Sequence, residues 1–572
     1  MWLLLHGCVA PGPGTIEAEP RPVDVTDSQQ ANDHTGGALD SDPDDHPIEF
    51  VDGEEAPGAF DVDIVPHGAG FTGSLEVTLD LSEDAEVWYT LDDSVPVPGL
   101  STLYTGPLLL TDTATLRVLA VATDGRQDHD SAAFASLSPG VVDLVSEIPL
   151  MVLVGERTLP DDKGDGYIPF QLLTFDQKDG ANALGTATLS TRGAIKVRGS
   201  STAGYAKHSW GYETWEHDRD DDKDRELLGL AAESDWVFLA PFAFDRAFMR
   251  DAFAYWMSNT IGAWAPHTRF FELFASEGGE QVSEDDYMGV YVLVERIKQG
   301  ENRVDIAALG PGDLDEPEVT GGYVFKRDRL GDGESGFWAG TGGGAWSFQQ
   351  YLAYVDPDEE DLAPQQKSYL SSAIDEFGYA LAASDGVNPV TGAHYSELID
   401  IDSWIDHHLV NTFTMNPDAL RLSGYLYKER EGPIHAGPVW DFDRTMGCDS
   451  DSRCLDPVTW DAGHITSDTT YVFEHGWYKG LLDDPEFTEA YWDRWREVLQ
   501  GPLAVDVLLD QLDAWEALLD EAAERNFERW PDYQPDGSFG NEVDQLRAWV
   551  EGRHTWISLC LGTDDPELCT SG

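Results

Sequence analysis

The chain has 572 residues, with 107 Asp and Glu against 35 Lys and Arg and a formal net charge of −72. A nucleic-acid partner is excluded because a polyanion needs a basic face, and no apolar run reaches the ~20 residues that span a bilayer. The length and the 41% hydrophobic content predict two or three domains with cores of their own, so the surplus acid reads as solvated surface and tether. At the N-terminus, Leu5-His6-Gly7-Cys8 has the shape of a bacterial lipobox, although the apolar stretch is short and no basic residue precedes it. Either Cys8 is a lipidation site and residues 1–8 are a lipoprotein signal remnant, or the match is chance. Residues 9–56 lack apolar periodicity and read as an acidic, disordered linker. Together these features predict an extracytoplasmic protein, secreted or on the cell surface, touching membrane only through a lipid anchor.

From residue 57 to 138 short strands alternate with Asp-, Gly- and Pro-rich turns: Ser74–Leu81, Glu86–Leu91, Leu108–Leu110 and Leu116–Ala122. This spacing predicts a small all-β sandwich. The stretch Tyr89–Leu110, YTLDDSVPVPGLSTLYTGPLLL, resembles the chitobiase/hexosaminidase C-terminal β-module. Trp88 or Tyr104 then either contacts a glycan or fills the core.

Residues 145–561 mix strands and helices, and residues 562–572 form a C-terminal tail. The pattern predicts strands at Ile195–Arg198, Trp236–Leu239, Val290–Val294, Gly322–Lys326 and Pro438–Phe442. Helices are predicted at Phe248–Ile261, with Asp245 placed to cap it, at Gln365–Ala382, at Ile401–Thr414, and from Phe487 through Arg553 with a break near Pro531–Gly540. The body is thus α+β with a helical C-terminal part. Cys448, Cys454, Cys560 and Cys569 form two local pairs, which fits two small disulfide loops in an oxidising compartment. Zinc is the competing reading, against which stand the spacings and the lack of paired histidines.

Four places put polar residues inside apolar strands, where burial is costly unless they are paired or used. Arg198 enters a Gly-Ser-Ser turn followed by Lys207, a combination that can hold phosphate oxygens or be simply a turn. Glu295 ends the apolar run MGVYVLVE and wants a cation, as a partner for a phosphate-binding lysine or in a structural salt bridge. Lys326 ends the strand of GGYVFK; only ten residues of the chain are lysine, so it is either a ligand contact or one of few surface lysines. Asn416-Pro417-Asp418 follows a helix, and Trp440-Asp441-Phe442-Asp443 reads as a strand that would present two carboxylates on one face. Such a pair suits a Mg²⁺–nucleotide, with Asp418 as a separate base, although a D-x-D is common in so acidic a chain.

In order along the chain, Arg198-Gly199-Ser200-Ser201 with Lys207, Asp235–Leu239 with Asp245 and Arg250, Gly289–Glu295, Gly322–Lys326, Asn416–Asp418 and Trp440–Asp443 resemble the spore-coat protein H (CotH) kinase family. The resemblance spans residues 150 to 555. It implies an atypical protein-kinase-like fold and a secreted or surface kinase that transfers the ATP γ-phosphoryl group to Ser or Thr of protein substrates in the envelope, with Mg²⁺ or Mn²⁺. It makes Asp418 the catalytic aspartate and Asp441 the principal metal ligand with Asp443 in support. Arg198, Lys207, Glu295 and Lys326 become nucleotide-site candidates. One departure stands out: many members carry Asn where this chain has Ser423-Gly424. Two alternatives follow, a pseudokinase acting as a surface structural or adhesion protein and a glycan-binding surface lipoprotein.

Overall fold

Alternating apolar residues pair strands into sheets, and a computed structural model shows how those sheets close. It describes residues 60–572 except 178–179, 332–333, 341–349, 461–470, 536, 564–565, 567–568 and 570–572. Cys8, the signal remnant and the acidic linker lie outside the described residues.

The N-terminal module has two facing sheets. One joins Val62–Val65, Leu75–Leu81 and Leu108–Leu110; the other joins Ala69–Phe71, Ala85–Thr90, Thr102–Leu103, Ala114–Ala122 and Gln127–Ser136. Along Leu75–Leu81, Val77 and Leu79 are buried while Glu76 and Asp80 face water, the period of two that a half-buried strand requires. Tyr104 packs on this core and its hydroxyl accepts the Leu79 amide hydrogen. The last strand serves two cores at once. Ala132 and Phe134 face the module interior, whereas Ala133 and Ala135 pack with Leu150, Val152 and Leu173 of the body. Buried Arg117 adds hydrogen bonds to the carbonyls of His217 and Asp218. The module therefore shares apolar surface with the body it precedes.

In the body, seven strands pair in a ring: Leu150–Val154, Gln171–Phe175, Leu189–Arg198, Ser209–Trp215, Asp235–Leu239, Tyr287–Glu295 and Thr268–Ser276, which returns to the first in parallel. Closure leaves these strands no unpaired edge. It also explains the unbroken apolar run of Tyr287–Glu295. Tyr291 and Leu293 point into the barrel against Trp210, Tyr212, Trp236 and Phe238, while Val290, Val292 and Val294 point outward into the largest core. That core is completed by helices α1 (Arg250–Thr260), α2 (Pro364–Ala382), α3 (Tyr395–Leu398), α4 (Ile401–Phe413), α5 (Gly476–Leu482), α6 (Pro485–Gln500), α7 (Val505–Arg529) and α8 (Phe539–Cys560). An antiparallel sheet lies among them in the order Gly336–Ala339, Gln350–Asp356, Tyr323–Arg327, Gly424–Lys428, Ile434–Ala436. The fold is α+β with a helical C-terminal part. Its late tryptophans are packing residues: Trp460 contacts Trp492, Trp495 and Trp556.

The cysteine expectation holds for one pair. Cys560 and Cys569 form a disulfide, which ties the end of α8 to the chain beyond it. Cys448 and Cys454 are instead buried thiols; their sulfurs lie 2.9 Å apart, beyond the ~2.05 Å of a bond.

Helix α4 buries two histidines in neutral form. His408 donates from Nε2 to the Val472 carbonyl at 2.8 Å, which leaves Nδ1 of the neutral ring to accept from the Tyr491 hydroxyl at 2.9 Å. Burial pushes His408 down to about 4 and, with His408 beside it, His407 down to about 3. The unfolded chain takes up protons below ~6.5 where the native one does not, so the stability these residues confer is present above that pH and lost as pH falls. Between pH 7.5 and 4.5 each histidine should cost about 2 kcal/mol. Urea unfolding should show a shallower acid loss in His408→Gln than in wild type; equal losses would contradict this.

Candidate active site

After the strand Ile434–Ala436 the chain passes a cis Gly437–Pro438 bond and leaves the sheet. Trp440–Asp443 is consequently not the strand its alternating pattern predicts. Pro438 offers no amide hydrogen for a ladder, and Asp441 adopts a left-handed backbone with φ 69°, which costs a non-glycine residue roughly 1–2 kcal/mol. Two same-facing carboxylates on a strand are therefore the wrong geometry; Asp441 and Asp443 are presented by a loop.

That loop is held by the first turns of α1. Asp251 Oδ1 accepts the Phe442 amide hydrogen at 2.7 Å, and the Tyr255 hydroxyl accepts that of Asp441 at 3.2 Å while donating to Asp251 Oδ1 at 3.1 Å. The Tyr255 ring stacks on Trp440 at 5.7 Å. Arg250 is fully buried, pairs with Asp245 at 2.7 Å and donates to the carbonyls of Thr445 and Gly447. Asp245 also accepts the Arg250 amide hydrogen from five residues back, but it is not the cap its position predicts: the N-cap is Met249, whose side chain makes no capping bond. Thr445 Oγ1 donates to the Phe442 carbonyl and closes the turn around Asp443.

Asp418 comes from a separate loop, tied to the first by one buried side chain. Asn416 accepts the Asp418 amide hydrogen at Oδ1, 3.0 Å away, and donates from Nδ2 to the Asp441 carbonyl at 3.4 Å. Asp418 Oδ1 is met by Arg421 at 2.5 Å and Arg453 at 3.7 Å. Met415, Leu420, Ser423 and Met446 share the left-handed backbone of Asp441, a concentration of local strain such as functional sites carry.

The carboxylates repel one another. Asp441 is exposed yet surrounded by protein atoms, and desolvation, then Asp418, raises its pKa against the Ser423 hydroxyl that donates to its Oδ2 at 3.2 Å. Asp443 is pushed well up by burial and then by Asp441 and Asp251. Asp251 rises to about 7, from burial and then Asp441. A cation would relieve this crowding. Hard carboxylate oxygens suit Mg²⁺ or Mn²⁺, which keep several positions for water and phosphate. Among the described residues no three or more His, Cys, Asp or Glu form a preformed cage, so phosphate and water oxygens would have to complete the shell.

Arg198 meets that loop at Trp440. Its guanidinium, half-buried, lies 5.3 Å over the Trp440 ring and has no hydrogen-bond or carboxylate partner among the described residues. Burial lowers its pKa, against the pull of Tyr425. Lys326 approaches the same Tyr425 ring at 5.9 Å, paired to Glu334 at 2.7 Å and to Asp328 at 3.9 Å. Arg198, Lys326, Asp418, Asp441 and Asp443 thus gather about Trp440 and Tyr425.

Residues 195–557, more than half the chain, match the CotH kinase protein family. The chain belongs to that family. Residues 66–132 match the chitobiase/beta-hexosaminidase C-terminal domain. No curated protein matches the chain.

Two of the family's candidate positions lie elsewhere in this CotH protein. Lys207 is buried 1% exposed and donates to the carbonyls of Pro241 and Val290 and to Asn526 Oδ1 on α7. Desolvation drives its pKa well down; three acceptors in the interior leave it no reach toward a phosphate. Glu295 is paired with Arg303 at 3.0 Å and His267 at 2.9 Å. It lines a cavity of about 760 Å³ whose walls reach Val439 but not Asp441. The expected Lys–Glu pair is therefore not formed by these two residues. Conversely, pattern reading passed over Asp251 and Tyr255. Their only sequence signal is an acid and a tyrosine four apart in the first turns of a helix.

The Asp245–Arg250 pair anchors this CotH site. Arg250→Met should leave a buried carboxylate without its counter-charge and cost about 3–5 kcal/mol in denaturant unfolding, with Asp245→Asn/Arg250→Met recovering part of the loss. A loss below 1 kcal/mol for the single change would refute the anchoring role.

Proposed function

We propose that this CotH protein is an atypical extracytoplasmic kinase that transfers the γ-phosphoryl group of ATP to Ser or Thr hydroxyls of protein substrates. The observation that carries the reading is Arg198: a guanidinium with no carboxylate partner among the described residues, resting on the ring of Trp440, the residue before Asp441, in a chain of net charge −72. ATP is a polyanion, so such a chain needs a local cation to receive it and a metal to make the remaining acids tolerable.

Asp441 and Asp443 would hold Mg²⁺ or Mn²⁺, which supplies charge neutralisation on the phosphates. Arg198 and Lys326 would orient the phosphate oxygens. Asp418 would align the acceptor hydroxyl and take its proton as the hydroxyl oxygen bonds to the γ-phosphorus and the bond to the departing ADP oxygen breaks. Positioning and electrostatics would supply most of the acceleration. Ser423 donates to Asp441; where the resemblance implies Asn at Ser423-Gly424, any metal role would fall to this hydroxyl, to water or to nothing, which favours slow turnover. Pushed further, the same substitution supports the second reading, a surface adhesion or structural protein with the kinase fold. The Cys560–Cys569 disulfide suits an oxidising compartment.

Incubation of the full chain with γ-labelled ATP and Mn²⁺ or Mg²⁺ should transfer label to Ser or Thr, and Asp418→Ala and Asp441→Ala should each lose about 10²-fold or more. Label persisting in both variants would overturn the assignment. No transfer by wild type, with ATP binding retained, would favour the second reading.

A further inference from the structure

Asp441 is a non-glycine residue at φ 69° outside any sheet, so neither its own conformation nor a strand ladder fixes where its carboxylate points. Three consecutive residues around it are instead held by two side chains one turn apart on α1. Tyr255 stacks on Trp440, its hydroxyl takes the Asp441 amide, and Asp251 takes the Phe442 amide and orients that same hydroxyl. We infer that Asp251 and Tyr255 are positioning residues for the proposed phosphoryl transfer, setting the metal-binding geometry of Asp441 from helix α1. The inference rests on the reading of Asp441 as a metal ligand.

The bonding is specific to this purpose in two respects. An N–H donor turned away from a sheet must find an acceptor when buried, and here two successive amides find theirs on one helix. Moreover, the two acceptors are mutually bonded, so displacement of either loosens both amides. The outer face of α1 is seated in the main core through Phe253, Ala254 and Met257, beside Val290 and Val292 of the barrel. The position of the metal carboxylate is thereby coupled to the seating of α1 in the core that also takes in the outer face of the barrel. Outer partners that orient a metal ligand typically govern affinity 10- to 100-fold.

Tyr255→Phe separates this role from mere packing, since it keeps the ring on Trp440 and deletes the hydroxyl alone. Asp251→Ala removes both acceptances, whereas Asp251→Asn keeps an oxygen for the Phe442 amide. Mn²⁺ would be titrated by electron paramagnetic resonance into each full-length protein with a non-hydrolysable ATP analogue, together with thermal unfolding and analogue binding in metal-free buffer. The expected result is a roughly tenfold or greater weakening of Mn²⁺ in Tyr255→Phe and Asp251→Ala, partial recovery in Asp251→Asn, and unchanged metal-free analogue binding. Mn²⁺ affinity equal to wild type in Tyr255→Phe and Asp251→Ala would overturn the inference while leaving the kinase reading standing. Absence of Mn²⁺ binding in wild type would overturn the metal role of Asp441 and the inference with it. If Asp251→Ala fails to fold, Tyr255→Phe decides.

Discussion

Arg250 is a guanidinium taken out of water, and the site depends on how that cost is offset. Its partners are one buried carboxylate, Asp245, and the carbonyls of Thr445 and Gly447. A pair so deep gains little net stability over an apolar substitute, but it is expensive to break. The consequence is geometric: α1 cannot shift without uncovering a charge. Because Asp251 and Tyr255 follow on the same helix, the loop from Trp440 to Gly447 inherits that fixed frame. The carboxylates on it remain crowded, and the crowding persists because the frame does not yield.

Charge is distributed to the same end. Several of the scarce bases act inside the protein as clamps on main-chain carbonyls. Arg117 holds His217 and Asp218, and Arg553 holds Thr412 and Phe413. Lys428 holds Thr320 and Gly432. A donor that saturates carbonyls stabilises loops without using any of the abundant acids. Arg198 departs from this pattern: half-buried, it rests on an aromatic face and clamps no carbonyl among the described residues. A field made by 107 acids opposes the approach of an anion, and a guanidinium without a carboxylate partner is the kind of local cation that would receive one.

Local pattern made much of the fold legible. Period-two burial marked the module strands, and the apolar run ending at Glu295 marked a strand covered on both faces, since one face fills the barrel and the other meets the helices. The failures share a physical cause, which is that the deciding contact lies far along the chain. Val439–Asp443 alternates like a strand, but its conformation is set by Asp251 and Tyr255 nearly 200 residues earlier. Lys207 stood out because lysine is rare, and it does have a special place, facing Asn526 more than 300 residues away. Glu295 needed a cation, as burial demands, and Arg303 in the following loop supplied it. The candidate acids were visible as residue types; their convergence was not.

The central claim is that Arg198 and the Asp441–Asp443 loop receive a metal nucleotide together. A crystal structure of the full chain with Mn²⁺ and a non-hydrolysable ATP analogue tests it most directly. The account predicts Mn²⁺ at bonding distance, about 2.1 Å, from carboxylate oxygens of Asp441 and Asp443, with phosphate oxygens on the Arg198 guanidinium. Nucleotide seated instead in the cavity lined by Glu295 and Arg303, with Asp441 unbound, would contradict it.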